Sequence, residues 1–333
     1  MFKTGPLNLI TDIAGLRVGN VADEKLKSGV TVVLCDTPAV ASVQVLGGAP
    51  GTRETDLLEP HMSVETINAV VLAGGSAFGL DAASGVQAAL REHGIGFQVR
   101  GNSIPIVPAA ILFDLANGGD KNWGRYPPYR EMGYDAVQAA AREFQIGTAG
   151  AGTGALTAGL KGGLGSASTV LDSGIHIGAL AAVNSTGSVT VGRSRHFWAA
   201  PFEIGDEFGD QGYPSPIPPD ARRIHLKFRD KRASTTIAVI ATDAVLTPAA
   251  AKRLAIASHD GFARAIWPTH TPADGDLVFA LATGASGREL SGDEAIDLYA
   301  AAGATMARAI ARGVYAATPS QNDLFPVWSS RRA

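Results

Sequence analysis

Apolar residues recur along this chain in two rhythms. Short, nearly continuous apolar runs at 29–35, 69–72, 177–183, 224–228, 236–242 and 277–283 predict buried strands. Small and apolar residues at helical spacing predict helices over 79–93, 134–144, 247–267 and 291–313. Two of these helices carry start signals. Thr247 stands before Pro248, an N-cap with proline in the first turn, and Ser291 is followed three residues on by Glu294, a capping box. The strands alternate irregularly with the helices, several between glycines, which argues for α/β layers rather than a string of βαβ units. A sandwich of helices over sheets is the expected product, and 1–333 is read as a single domain. There is no internal repeat and no low-complexity tract. The one linker-like stretch is 206–220, with Gly209, Gly212 and prolines at 214, 216, 218 and 219.

Composition sharpens this picture. The 333 residues are 46% hydrophobic, enough for one large core or two modest ones. A net charge of −3 offers no basic field for a phosphate backbone, so nucleic acid is not an expected partner. No apolar run is long enough to span a membrane and the first residues lack the features of a secretory signal, so cytoplasmic residence is expected. The single cysteine, Cys35, lies in an apolar run and reads as a buried, inert thiol. The 40 glycines cluster at 46–53, 73–79 and 147–165, where backbones are expected to approach closely.

Several familiar sites fail on spacing. Gly150-Ala151-Gly152-Thr153-Gly154 resembles part of a dinucleotide fingerprint, but the glycines run on to Gly165 with no helix signal, and Lys161 lacks the Gly-Lys-Ser/Thr order of a P-loop. The seven histidines show no HxxxH or HxH spacing, so neither metal nor cofactor is expected. Gly-x-Ser-x-Gly is absent, Gly74-Gly75-Ser76-Ala77-Phe78-Gly79 being the nearest approach. A Ser-His-Asp triad assembled by folding stays open.

Two segments suggest chemistry. In Ser234-Thr235-Thr236 three hydroxyl residues open an apolar run that ends in Ala241-Thr242-Asp243. A threonine freed at its own α-nitrogen carries its base with it, because the amine titrates near ~8 and can take the hydroxyl proton directly or through water. The same residues would equally open an ordinary buried strand. Residues 222–232 contain Arg222, Arg223, Lys227 and further basic residues, a basic approach to Thr235 or simply a solvated face. The second segment, Asp274-Gly275-Asp276, places two carboxylates on one side of an extended backbone, which raises a pKa and suits a cation or a shared proton; an exposed Asp-Gly turn is the alternative.

The chain resembles the P1 family of self-processing peptidases. This is the L-aminopeptidase/D-esterase group, which also contains β-peptidyl aminopeptidases and 6-aminohexanoate (nylon) oligomer hydrolases. The resemblance rests on 10–19, 29–34, 47–56, 72–80, 150–154 and Ala241-Thr242-Asp243-Ala244. It implies an αββα four-layer sandwich of the N-terminal-nucleophile type, self-cleavage into chains 1–234 and 235–333, and assembly of the cut protomers into a homo-oligomer, a tetramer. Thr235, six residues before Ala241, matches the family nucleophile. Ser234 then supplies the carbonyl of the cut bond where relatives carry Asn or Gly, and a nucleophile shifted by one to Ser234 stays open. Asn184 matches the oxyanion-donating asparagine, Asp274 and Asp276 the paired acids of the nylon-oligomer branch, and Lys161 a lysine near the nucleophile. Gly74, Gly75, Ser76 and Phe113 match the substrate-binding side, with Phe113 standing where nylon-oligomer hydrolases carry tyrosine. The implied function is an aminopeptidase or amidase acting on small peptides. The alternatives are nylon-oligomer hydrolysis, acyl transfer as in the similar ornithine acetyltransferases, and an uncut, non-enzymatic scaffold.

Overall fold

β-Branched and small residues build a layered molecule whose backbone is given by a computed structural model describing residues 2–228 and 234–331. The strands are β1 (Leu16–Asp23), β2 (Ser28–Val45), β3 (Thr52–Arg53), β4 (Thr66–Ala73), β5 (Phe97–Val99), β6 (Asn102–Ile104), β7 (Ala109–Ile111), β8 (Leu156–Thr157), β9 (Leu160–Lys161), β10 (Gly163–Val170), β11 (His176–Asn184), β12 (Thr235–Thr242) and β13 (Leu277–Ala282). The helices are α1 (Ala82–Glu92), α2 (Tyr129–Gln138), α3 (Pro248–Ala265) and α4 (Gly292–Tyr315).

Hydrogen bonds link the main strands in the order β10-β11-β12-β13-β2-β4-β7-β3, with β1 also on β2. The path folds back on itself because β2 is long and its register with β4 shifts between Leu34 and Ala39. Its first part pairs with β1, its last part with β13. A bulge of this kind bends a strand and passes it from one layer to the next.

Side-chain parity then makes four layers. Along β12, Ile237, Val239 and Ala241 join Phe279, Val33 and Leu72 in a core between the two sheet halves, while Ala238 and Ile240 face α3 and α4. On the other half, Val30, Val32 and Leu34 meet α1 and α2. Successive strand residues point to opposite faces, so a strand covered on both sides must read as one continuous apolar run. The molecule is the αββα sandwich that the resemblance implied.

Small residues make the layers thin. A Cβ at Gly163 or Gly165 would lie 2.1 or 1.8 Å from the carbonyl oxygens of Gly313 and Ala309 on α4, so the glycines of β10 let helix backbone rest on strand backbone. The cap signals at Thr247 and Ser291 are formed: Thr247 accepts from Ala250 N, and Ser291 and Glu294 complete a capping box.

Three expectations change. The helix expected at 134–144 lies at Tyr129–Gln138, because Ala141 is drawn into reciprocal backbone bonds with Val18. The glycine-rich stretch 147–165 holds the start of strand β10, unrecognised because glycine reads as loop. The apolar run 224–228 is irregular, not a strand. Its Lys227 N–H donates to Thr186 O, and Pro268 and Pro272, which lack N–H donors, line the cavity beside it. Of the basic residues before Thr235, those at 229–232 lie outside the described residues.

Candidate active site

Thr235 opens β12 directly opposite Asn184, the last residue of β11. By parity both side chains point between the two sheets, where Phe113, just past β7, comes across from the other half. Asn184 Nδ2 donates to Phe113 O at 3.0 Å. Thr235, Asn184 and Ser234 are all buried.

The bond before Thr235 has an unusual setting. Thr235 Oγ1 donates to Ser234 O at 2.6 Å, and Gly275 N donates to the same oxygen at 2.9 Å. The carbonyl that would be attacked in a self-cut is thus polarised by two donors, one of them the candidate nucleophile. Gly275 cannot be larger: a Cβ there would lie 2.7 Å from Thr235 Oγ1 and 2.6 Å from Ala49 O. The Asp-Gly-Asp turn is therefore threaded between Thr235 and the loop at 47–50. Ala49 N donates to Asp274 O and Gly47 N to Asp276 O, which gives the first glycine cluster its reason.

The two aspartates brace the backbone around the Ser234–Thr235 bond, Asp276 on strand β12 and Asp274 on the segment just past β11. Asp274 accepts from Thr186 N, Thr271 N and Thr271 Oγ1; Asp276 accepts from Thr236 N at 2.8 Å and, on its other oxygen, from Thr269 Oγ1, His270 N and His270 Nδ1. Neither carboxylate has a hydrogen bond to Thr235. Burial, and then the neighbouring Asp276 charge, push the Asp274 carboxyl up from the usual range. His270 holds a φ of +55°, a conformation that costs energy in a non-glycine residue, and its two bonds to Asp276 compensate for it. Behind His270, His259 Nδ1 sits 3.3 Å from His270 Nε2 and its own Nε2 faces Gln44 O. Burial lowers the His259 pKa to about 4, so this ring is neutral.

A lysine does reach the site, and it is Lys227. Its Nζ lies in a cage of three oxygens, Leu156 O at 3.0 Å, Asn184 O at 3.0 Å and Asn184 Oδ1 at 2.8 Å. Burial lowers its pKa to about 7 against the opposing pull of Asp274, Asp114 and Asp276. Lys161 stands one strand pairing away, opposite Leu156, and its ammonium is held by Ser320 Oγ and Asp323 Oδ2, at 2.8 and 2.9 Å. Sequence reasoning passed over Lys227 as one of a basic group. The available signal was its setting, a lone charge in the apolar run Ile224-His225-Leu226-Lys227-Phe228.

The expected substrate-side residues gather on the second sheet half. Gly75 N donates to Asp114 Oδ1 and Ser76 N to Leu112 O, so the 74–76 turn is tied to the segment after β7 that carries Phe113. Cβ atoms at Gly74 and Gly75 would strike Asp114 and Ser28, and the Tyr129 ring. Both glycines therefore serve close packing here. Ser234 lines an apolar cavity of about 320 Å³, shared with Thr186, Ile224, Leu226, Phe228, Pro268, Thr271, Pro272 and Ala273. Among the described residues, no three His, Cys, Asp or Glu converge as a metal site. No helix among them is long and apolar enough to cross a membrane.

Comparison with known proteins meets this geometry. An uncharacterized aminopeptidase of Mycobacterium tuberculosis is 43% identical over 345 aligned residues, covering 96% of this chain and 98% of its own. The 6-aminohexanoate-oligomer endohydrolase of a Kocuria species is more distant, at 27% identity over 84% of this chain and 76% of its own. Among solved structures, the L-aminopeptidase D-Ala-esterase/amidase of Ochrobactrum anthropi, described as a variant of the Ntn hydrolase fold, superposes with a TM-score of 0.69 at 24% identity, covering 97% of this chain and 90% of that one. The profile of peptidase family S58 matches residues 8–323. The chain belongs to peptidase family S58 and is a hydrolase of peptide or amide bonds.

Proposed function

We propose that the protein is a self-processing N-terminal-threonine aminopeptidase or amidase, cut between Ser234 and Thr235 into chains 1–234 and 235–333. The observation that carries the reading is the pair of donors on Ser234 O, the Thr235 hydroxyl and the Gly275 N–H. In the first stage Thr235 Oγ attacks the Ser234 carbonyl carbon, the C–N bond breaks as the acyl group moves from nitrogen to oxygen, and the nitrogen takes a proton. Gly275 N–H meets the charge that develops on the Ser234 oxygen. Water then hydrolyses the ester and leaves Thr235 with a free amine.

In the second stage that amine takes the hydroxyl proton, titrating near ~8, and Thr235 attacks the substrate carbonyl. Asn184 Nδ2 carries two N–H groups and Phe113 O accepts one, which leaves one for the oxyanion. The acyl-threonine is released by water. Asp276 holds Thr236 N–H and Asp274 holds Thr186 N–H, so the acids fix the strands that carry nucleophile and donor. The apolar cavity beside Ser234 suits an apolar substrate group. Cytoplasmic residence and assembly of cut protomers into a tetramer belong to the same reading. Phe97, Val99 and Ile104, exposed together on the β5–β6 hairpin, suit a contact between protomers.

The activity is tested with an amino-acid amide of an apolar residue and its N-acetylated counterpart. Release of the amine from the free form, with the acetylated form spared, is the expected result. Equal turnover of both would remove the aminopeptidase reading, and turnover of neither would remove the amidase reading with it.

A further inference from the structure

Asn184 is an amide whose two ends could in principle be exchanged, and only one orientation stabilises a developing negative charge. Its Oδ1 accepts from Leu156 N at 2.9 Å and from Lys227 Nζ at 2.8 Å. Flipped, the NH2 group would face an N–H and an ammonium, donor against donors, in a buried setting where an unmade hydrogen bond is costly. Leu156 N–H and Phe113 O, both neutral partners, favour the same orientation more weakly. The ammonium is a charged donor, roughly twice as strong, and adds two further bonds, to Asn184 O and Leu156 O. Each of its three N–H groups thus has an acceptor, and none bonds Thr235.

We propose that Lys227 is a positioning residue for the oxyanion site: its caged ammonium locks the Asn184 amide with Nδ2 turned to Phe113 O, on the side of the second sheet half. This rests on the reading of Thr235 as nucleophile and Asn184 as donor. The cut leaves the cage within the large chain, because Lys227, Leu156 and Asn184 all precede Thr235. The backbone of the segment is pinned independently, by Lys227 N on Thr186 O, whose own N–H is held by Asp274. The cage therefore connects the Asp274 turn to the end of β11. The groups that face the ammonium are the three oxygens at contact distance and, further out, the charges of Asp274, Asp114 and Asp276.

The test compares Lys227→Ala in the parent and in Asn184→Ala, measuring kcat and KM on a free-amine amide. Removal of one oxyanion donor costs about 10²–10³-fold in kcat, and loss of its orienting partner is expected to cost about 10- to 100-fold with KM changed less than about 3-fold. In Asn184→Ala the second substitution should cost less than about 2-fold, since a residue that acts through Asn184 has nothing left to orient. n-Propylammonium should restore Lys227→Ala saturably, and 1-propanol should not. An unchanged kcat, equal losses in both backgrounds, or rescue by propanol as well would overturn the proposal.

A second measurement is independent of activity. In uncut Thr235→Ala the Asn184 side-chain amide proton signals should move on Lys227→Met, a substitution that retains the apolar stem; signals that stay put would equally overturn it. A Thr235→Ala chain that is still cut and active would bring down the nucleophile reading instead, and that result is visible in the gel lane before either readout is taken.

Discussion

The two ends of the β11–β12 ladder carry similar residues and use them differently. At one end, Thr242, His176 and Asp243 bond mainly to one another: Thr242 Oγ1 to His176 O, His176 N and Nδ1 to Asp243. These are local ties at a partly exposed strand end. At the other end, Thr235, Asn184, Asp274, Asp276 and Lys227 are buried and linked through loops from four parts of the chain. The motif that fixes the register in sequence, Ala241-Thr242-Asp243, is thus a clasp that closes the strand pair, and the candidate chemistry sits six residues upstream at the closed end. A motif locates a site without being part of it.

The comparison predicts that substitutions at the two ends separate activity from stability. The largest effect falls at the closed end. Asn184→Ala should lower kcat by about 10²–10³-fold while the thermal midpoint moves far less, measured by steady-state kinetics and calorimetry on the same preparation. A parent-like kcat would remove Asn184 from the oxyanion site.

A smaller effect concerns pH. Burial holds the Lys227 pKa at about 7, whereas in the unfolded chain it returns to ~10.4. Between these values the unfolded chain binds the extra proton, so this group's contribution to stability rises with pH from about 7 upward and is lowest below it. Lys227→Met removes that burden. Relative to the parent, its thermal midpoint should therefore be higher at pH 6 than at pH 10, and a pH-independent difference would show that the ammonium is not desolvated as described.

The smallest effect belongs to the Thr242–Asp243 end. Asp243→Asn keeps one acceptor for His176 and should cost about 1 kcal/mol of stability, with kcat within about 2-fold of the parent. A large kcat loss there would erase the contrast between the two ends.

Much of the frame was legible in the sequence, for reasons that are local. The continuous, β-branched apolar run after Thr235 reads as a strand covered on both faces, and Ser291 with Glu294 writes its own helix start. What stayed hidden was set by distant partners. Gly163 and Gly165 look like loop until Ala309 and Gly313 are laid across them. Lys161 and Lys227 are both lysines near apolar residues, and only the fold sends one to Asp323 and the other to Asn184. Asp274 and Asp276 read as a pair facing one cation, but the turn aims them apart, toward Thr186 and Thr236. Asp114 gave no signal in sequence, although its buried carboxyl, pushed up by desolvation, lies close enough for its charge to act on Lys227.

The central claim is that the Thr235 hydroxyl cuts its own chain, and intact-mass measurement of the purified protein beside Thr235→Ala tests it most directly. The account predicts a fragment of about 10 kDa beginning at Thr235 in the parent and a single uncut chain in the variant. A parent that stays whole, or a variant cut at the same bond, would contradict it.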